Sequence, residues 1–248
     1  MAVANDGGRG KLCRAIQSLR PLLYMPMDDK GSTMFDRSGN GHTVEGDVVN
    51  STFQVRQGSL GESAVFSPNH AGPTTSIADA AWNSITGAFS IMAFVRAASF
   101  DPAGRFILEK YDTPGRNGYA LRTNESGSPG PVKLYTLNGS TATNVSSASN
   151  LDTTSKWQVV ATFDGSTTGR IYLNGVLSNT NSSMVAPTDG TGNLHVVARG
   201  DDGAGGWDGE IDHLALFGFQ LSDRQISWLY GLWREGDLAV PAMSRSGM

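Results

Sequence analysis

The sequence contains a single cysteine, Cys13, so no disulfide within the chain can staple the fold and no cysteine-built zinc site can form. Stability has to come from burial. Charged residues make up only 17% of the chain and the formal net charge is −4, with Lys and Arg scattered along the sequence. No basic footprint for a phosphate backbone or an anionic bilayer is visible, so neither nucleic acid nor membrane is expected as a partner. No apolar run approaches the roughly 20 residues that a membrane-spanning helix needs. The N-terminal segment carries Arg9, Lys11, Arg14 and Arg20 but lacks the continuous apolar stretch and small-residue cleavage pattern of a secretory leader. Export by the general route is therefore not expected.

What the chain has in quantity is Gly, at 31 positions, together with Ser, Thr and Asn. Short strands joined by tight turns require that composition. A chain of 248 residues lies within the range that an all-β sandwich fills as one domain. Near the N-terminus, Leu12, Ala15, Ile16 and Leu19 fall at helical spacing and Pro21 stops the run. The spacing predicts a short helix whose apolar stripe docks either on the sandwich or on a neighbouring subunit, and residues 1 to 9 before it read as a polar arm. The expected organisation is an arm and helix over 1–21, a sandwich over 22–236 and a polar tail over 237–248.

Strand-like alternation begins at Leu22 to Met27 and returns at Ala64 to Phe66. In Phe89 to Arg96, the residues Phe89, Ile91, Ala93 and Val95 alternate with a second set that is also largely apolar, the pattern of a strand buried on both faces. Arg105 to Lys110, Gly118 to Thr123 and Val132 to Thr136 follow at meander spacing. Trp157 to Phe163 is a core strand ending at the Asp164-Gly165 turn. Arg170 to Ser178 contains Asn174-Gly175, a pair that tolerates positive φ and so predicts a two-residue hairpin. Asn193 to Ala198 and Gly209 to Phe217 complete the strands. Ser222 and Gln225 then form a capping box, with Leu221 and Ile226 as its hydrophobic staple, opening a helix that Gly236 is expected to end.

Four ordered motifs carry a family resemblance. Leu23-Tyr24-Met25-Pro26-Met27-Asp28 leads to Asp36-Arg37-Ser38-Gly39-Asn40-Gly41, and Phe89 to Val95 is the central strand. Trp157 to Gly165 precedes Ile171-Tyr172-Leu173-Asn174-Gly175, and Gly209-Glu210-Ile211-Asp212 precedes the Leu221-Ser222 helix. In this order, over about residues 22 to 233, the chain resembles the laminin G-like branch of the concanavalin A-like lectin and glucanase superfamily. The resemblance implies an all-β, two-sheet antiparallel sandwich of jelly-roll type with a short helix at each end. Members variously bind glycans, bind proteins, hold calcium or hydrolyse polysaccharides, and fold does not choose among these. The amphipathic helix leading into Leu-x-Pro and Tyr24 further resembles laminin G-like proteins of tailed-phage particles.

Hydrolases of this superfamily use a Glu-x-Asp-x-Glu strand, and here Glu210 and Asp212 are followed by Leu214. A retaining mechanism needs two carboxyl groups about 5 Å apart, so the missing partner argues against hydrolysis by this strand. His42, His70, His195 and His213 show no metal-ligand spacing, and the Gly- and Asp-rich loop 200–206 lacks the lysine of a phosphate loop. By their place in the matched motifs, Asp28, Asp36 and Asp212 are candidate ligands for a calcium ion, whose alternative is an ordinary hydrogen-bonded turn. Trp82 and Trp207 stand beside turn-like segments and are candidates to stack on sugar rings, or to plug the core. Lys110, Arg122 and Tyr135 are candidates for a shared glycan-binding face on the middle sheet, subject to register.

The expected function is a non-enzymatic virion component, a head decoration or tail-associated protein that assembles in the host cytoplasm and displays a lectin-like sandwich to glycans. It would contact other virion proteins, or its own copies, through the N-terminal arm. The alternatives are an extracellular carbohydrate-binding or adhesion module of a larger secreted protein and, disfavoured by Leu214, a polysaccharide hydrolase or lyase.

Overall fold

The structure is a computed structural model that describes residues 7–29, 33–42, 44–45, 54–58, 61–66, 76–100, 105–112, 115–123, 129–139, 141–197 and 206–238. Residues 1–6, His70, the tail from 239 and all but the last residue of loop 200–206 lie outside the described residues. The elements begin with α1 (Gly7–Ser18), β1 (Leu23–Met25), β2 (Thr33–Met34), β3 (Val44–Glu45), β4 (Gln54–Gly58), β5 (Gly61–Phe66) and β6 (Ser76–Ile77). Next come β7 (Phe89–Ala97), β8 (Phe106–Tyr111), β9 (Gly118–Thr123), β10 (Pro131–Asn138) and β11 (Thr141–Asn150). The chain continues with β12 (Trp157–Phe163), β13 (Gly169–Leu173), β14 (Val176–Asn181), β15 (Leu194–Val196), β16 (Gly209–Phe217) and α2 (Asp223–Leu238).

Two antiparallel sheets make a sandwich, as the alternation and the motifs predict. One has eight strands in the order β14-β13-β12-β7-β16-β5-β4, with β1 paired to β16, and the other has six, β11-β10-β9-β8-β15-β6. Strands β2 and β3 form a separate small hairpin. Strand β7 lies between β12 and β16 and is apolar on both faces for a physical reason. Phe89, Ile91, Ala93 and Val95 enter the core between the sheets with Leu121, Leu134 and Leu194. Met92 and Phe94 point the other way, where Tyr24, Val160, Tyr172 and Phe217 make a second apolar layer.

That second layer is covered by the two helices. Leu12, Ala15 and Ile16 of α1 and Ile226, Leu229 and Trp233 of α2 are buried in it, and the Trp233 ring lies 4.8 Å from that of Phe94. Of the two docking alternatives for the N-terminal stripe, the structure therefore selects the chain's own sheet. The apolar side chains of this stripe are thus buried within the chain. The helix begins at Gly7, earlier than the polar arm suggested, and ends where Arg20 takes a left-handed φ of 52° before Pro21.

Local chemistry sets the other boundaries. Asn174 and Gly175 adopt φ values of 52° and 80°, as a two-residue hairpin of strands with right-handed twist demands, and the Asn174 side chain accepts from the Gln158 amide at 2.8 Å. At α2 the Gln225 amide donates to Ser222 Oγ, while the Ser222 amide donates to Gln225 Oε1. Gly236 does not end this helix, which runs to Leu238. Strand β11, which sequence patterning misses, lies at the sheet edge beside β14. There Asn179 and Asn181 donate their side-chain amides to the carbonyls of Ser146 and Asn144, stitching the edges of the two sheets together.

Because Ile16 is fully buried against the chain's own second apolar layer, Ile16→Ala is expected to cost about 2–4 kcal/mol in urea denaturation, independent of protein concentration. A concentration-dependent loss would place the helix on a neighbour. A second expectation concerns acid. Burial raises the Asp152 carboxyl, but hydrogen bonds from Ser155 and Thr154 outweigh it and hold its pKa at about 2. Asp164 is also lowered, against burial, by the amides of Thr168, Ser166 and Thr167. Folded values below the unfolded one, about 3.9, mean that this stabilisation is complete above that pH and is lost as pH falls toward 2. The denaturation midpoint should drop over that window, and less steeply in Asp152→Asn.

Candidate ligand-binding face

Alternation along the six-stranded sheet sorts its side chains. Val132 and Leu134 of β10, Tyr119 and Leu121 of β9, and Leu194 and Val196 of β15 point into the core. Lys133, Tyr135, Ala120, Arg122 and His195 therefore point outward. Register aligns them in two rows. In the first, Phe106, Arg122, Lys133 and Ser146 lie opposite one another on β8, β9, β10 and β11. In the second, His195, Glu109, Ala120, Tyr135 and Asn144 do so on β15, β8, β9, β10 and β11.

Arg122 joins the rows. Its guanidinium carbon lies 4.3 Å from the centroid of the Tyr135 ring and 5.2 Å from that of Phe106, a cation–π arrangement that pins the guanidinium plane against aromatic surface. Arg122, Lys133, Tyr135 and Asn144 are all part-exposed, whereas Glu109 and His195 at the other end of the second row are 5% and 6% exposed. The accessible part of this face thus combines a cation stacked on an aromatic ring, a lysine and small polar groups.

Of the residues singled out as glycan contacts, the structure brings Arg122 and Tyr135 together and separates the others from them. Lys110 was expected on the same face. A bulge between Phe106 and Leu108 inserts one residue, reverses the parity of β8 and sets Lys110 opposite the core-facing Tyr119. There Lys110 is 1% exposed, and its ammonium donates to Asp79 Oδ1 at 2.5 Å and to the carbonyls of Gly190 and Gly192 at 3.0 and 2.6 Å. All three of its donors are spent fastening loops to the sheet. Trp207 is 1% exposed within the core, so it packs and does not face a ligand. Trp82 is half-buried against the core, and one ring face is taken by His42, whose centroid lies 3.8 Å away at 9°. Lys133, Phe106, Ser146 and Asn144 were not anticipated. Lys133 alternates in phase with Tyr135, which is legible, but its position opposite Arg122 depends on register.

The three aspartates expected to hold calcium do not form a site. Among the described residues no group of three or more His, Cys, Asp or Glu is gathered as a metal set. Asp36 accepts from the amides of Tyr24, Ser38 and His42 and from the Ser38 hydroxyl, which makes it the organiser of a turn. Asp28 is half-buried nearby in sequence, and Asp212 is buried beside His213, with Oδ2 3.6 Å from Nε2. The arrangement does not fit a calcium ion.

Strand β16 holds a second correction. Period-two counting puts Leu214 on the face of Glu210 and Asp212, but a bulge between Asp212 and Ala215, with His213 at φ 48°, moves Leu214 into the core. Glu210 is ion-paired with Arg96 at 3.2 Å, and Asp212 lies opposite Phe94 on the face that the helices cover. His213 Nδ1 is 2.7 Å from the Tyr24 hydroxyl in the same buried layer. Both carboxylates are buried.

The Lys110 tie gives a testable consequence. The ammonium holds the Asp79 carboxyl below its usual range, chiefly through their hydrogen bond and against the opposing effect of burial. Asp79→Ala would remove the one carboxylate that pairs with the buried ammonium among the described residues. Because the Asp79 side chain is itself 37% exposed, the expected cost is about 1–2 kcal/mol in chemical denaturation, with the outward face left intact. A loss below about 0.5 kcal/mol would contradict that role.

No curated protein matches the sequence. The binding domain of Paraclostridial Mosquitocidal Protein 1 is similar in structure, with a TM-score of 0.64 at 11% identity over 87% of this chain and 52% of that one. A botulinum neurotoxin type C structure, described in terms of interaction with two ganglioside molecules, has a TM-score of 0.64 at 13% identity over 89% and 52%. The botulinum neurotoxin serotype D ligand-binding domain in complex with N-acetylneuraminic acid has 0.63 at 14% over 89% and 52%. This chain spans about half the length of each, and at such identities the likeness concerns fold. The family profile described as the concanavalin A-like lectin/glucanases superfamily matches residues 69–227, well over half of the sequence. With two jelly-roll sheets around one core and that match, the chain belongs to the concanavalin A-like lectin/glucanase superfamily as a laminin G-type domain.

Proposed function

We propose that the chain is a non-catalytic binding module that takes saccharides on the outward face of its six-stranded sheet, around Tyr135 and Arg122. The observation that carries this reading is the Arg122 guanidinium stacked at 4.3 Å on Tyr135, with Asn144 opposite Tyr135 and Ser146 opposite Lys133. Sugar rings combine an apolar C–H face with a rim of hydroxyls. Aromatic surface and fixed polar groups on one plane match both. Support also comes from the neighbours of known structure, which are binding domains whose descriptions name gangliosides, N-acetylneuraminic acid or, in one case, synaptotagmin II. Catalysis is disfavoured by the burial of Glu210 and Asp212.

The setting we propose is the surface of a virion, where many copies with weak individual affinity would gain avidity. The amphipathic helix leading into Leu19-Arg20-Pro21 and then Tyr24, with its resemblance to tailed-phage laminin G-like proteins, supports this. A module of a larger extracellular protein is the second reading, favoured by neighbours of about twice this length. Immunogold electron microscopy decides between them, since labelled particles are expected for the first and unlabelled particles for the second.

The saccharide reading is tested on a glycan array followed by calorimetry. Tyr135→Ala is expected to weaken binding of any array hit about ten-fold with the denaturation midpoint retained. An unchanged affinity would move the site elsewhere, and release of reducing sugar from the hits would contradict the non-catalytic reading.

A further inference from the structure

The chain holds four Asn-Gly pairs, beginning at Asn40, Asn117, Asn138 and Asn174. Such a pair can modify itself, because glycine has no Cβ to hinder its amide nitrogen as that nitrogen turns on the preceding carboxamide. The carboxamide must first be released from its hydrogen bonds, and each bond to be broken slows the reaction roughly two- to ten-fold. The fold therefore ranks four pairs that are chemically identical.

Three of them are held. Asn40 donates from Nδ2 to the carbonyls of Pro21 and Leu22 at 3.2 and 3.0 Å, and its own amide donates to Ser38 Oγ. Asn117 donates to Asp112 Oδ2 at 3.3 Å and accepts at Oδ1 from the Gly139 amide and the Thr188 hydroxyl. Its glycine is packed as well, since a Cβ on Gly118 would meet the Lys110 carbonyl oxygen at 1.9 Å. Asn174 accepts from the Gln158 amide at 2.8 Å, and its own amide donates back to the Gln158 carbonyl at 2.9 Å. Asn138 differs. It is exposed at the end of β10, and among the described residues its carboxamide makes one hydrogen bond, to the Ala186 carbonyl at 3.4 Å, longer than is usual. Gly139, like Gly41, has open space where a Cβ would stand. The Gly139 amide donates to Asn117 Oδ1, but the Thr188 hydroxyl donates to the same oxygen, so deprotonating the nitrogen leaves that acceptor satisfied.

We propose that Asn138-Gly139 is a site of self-modification, converted through a succinimide into aspartate or isoaspartate at 138 while the other three pairs persist. The Gly139 nitrogen gives its proton to hydroxide and attacks Cγ of Asn138. The new N–Cγ bond closes the ring as the Cγ–Nδ2 bond breaks, and Nδ2 takes a proton from water and leaves as ammonia. Water then adds at one of the two ring carbonyls and reopens the ring. Aspartate at 138 sets a carboxylate oxygen against the Ala186 carbonyl in place of a donor. Isoaspartate adds a methylene to the backbone where Asn138 and Thr141 pair at the end of β10 and β11, the strands that carry Tyr135 and Asn144.

The full chain is incubated folded at mildly alkaline pH, beside a sample kept unfolded in guanidinium, and both are mapped by peptide mass spectrometry with isoaspartate resolved by chromatography. In the folded chain, conversion at Asn138 is expected to be about ten-fold or more faster than at Asn40, Asn117 or Asn174. In the unfolded chain the four rates should agree within about three-fold, because little but local chemistry remains. Asn138→Gln keeps a donor but has to close a larger ring, so it should remove the folded-state conversion at this position with circular dichroism unchanged. Conversion at any of the other three pairs matching that at Asn138 in the folded chain would overturn the proposal. So would the same spread of rates in both samples, or an Asn138 that converts only when unfolded.

Discussion

The constraint on which this molecule depends is that the central strands of its larger sheet are apolar on both faces. Strand β7 sends Ile91 and Val95 into the core and Met92 and Phe94 outward, and β12 and β16 do likewise with Val160 and Phe217. An outward apolar layer of that size cannot be left in water. Helices α1 and α2 cover it, with Ile16, Leu229 and Trp233 as the contacts. The cover has a functional consequence, because it removes one broad face of the sandwich from the surface. The outward face of the six-stranded sheet is the broad face on which binding is proposed.

That division explains the fate of the chemistry-bearing residues. Asp212, His213 and Tyr24 are buried on the side of the sheet that the helices cover, and Glu210 is buried and ion-paired with Arg96. Lys110 is likewise internal, where its ammonium fastens Asp79 and the 190–192 loop to the sheet. Arg122, Lys133 and Tyr135 sit on the uncovered face.

Much of the architecture was legible in the sequence. Two-sided apolarity marked β7 as interior, Asn174-Gly175 marked a hairpin, and Ser222 with Gln225 marked the start of α2. Each signal is local, and each is obeyed because nothing tertiary opposes it. Two single-residue bulges were not legible. Neither Ile107 nor His213 is a turn former, yet the extra residue near each reverses the faces of everything after it, taking Lys110 off the candidate face and Leu214 into the core. Strand β11 escaped notice because its Asn, Ser and Ala residues have low strand propensity. Its edges are secured by partners distant in sequence, Asn179 and Asn181. The site was half legible for the same reason, since alternation puts Lys133 in phase with Tyr135 but only register sets it opposite Arg122.

The central claim is that binding takes place on one broad face and that the other is closed. Backbone amide chemical shifts recorded while a saccharide hit from the glycan array is titrated into the labelled protein test it most directly. The account predicts perturbations concentrated in residues 118–123, 131–138 and 141–150, with β16 and both helices unmoved. Perturbations centred on Glu210 and Asp212, or on α1 and α2, would contradict it.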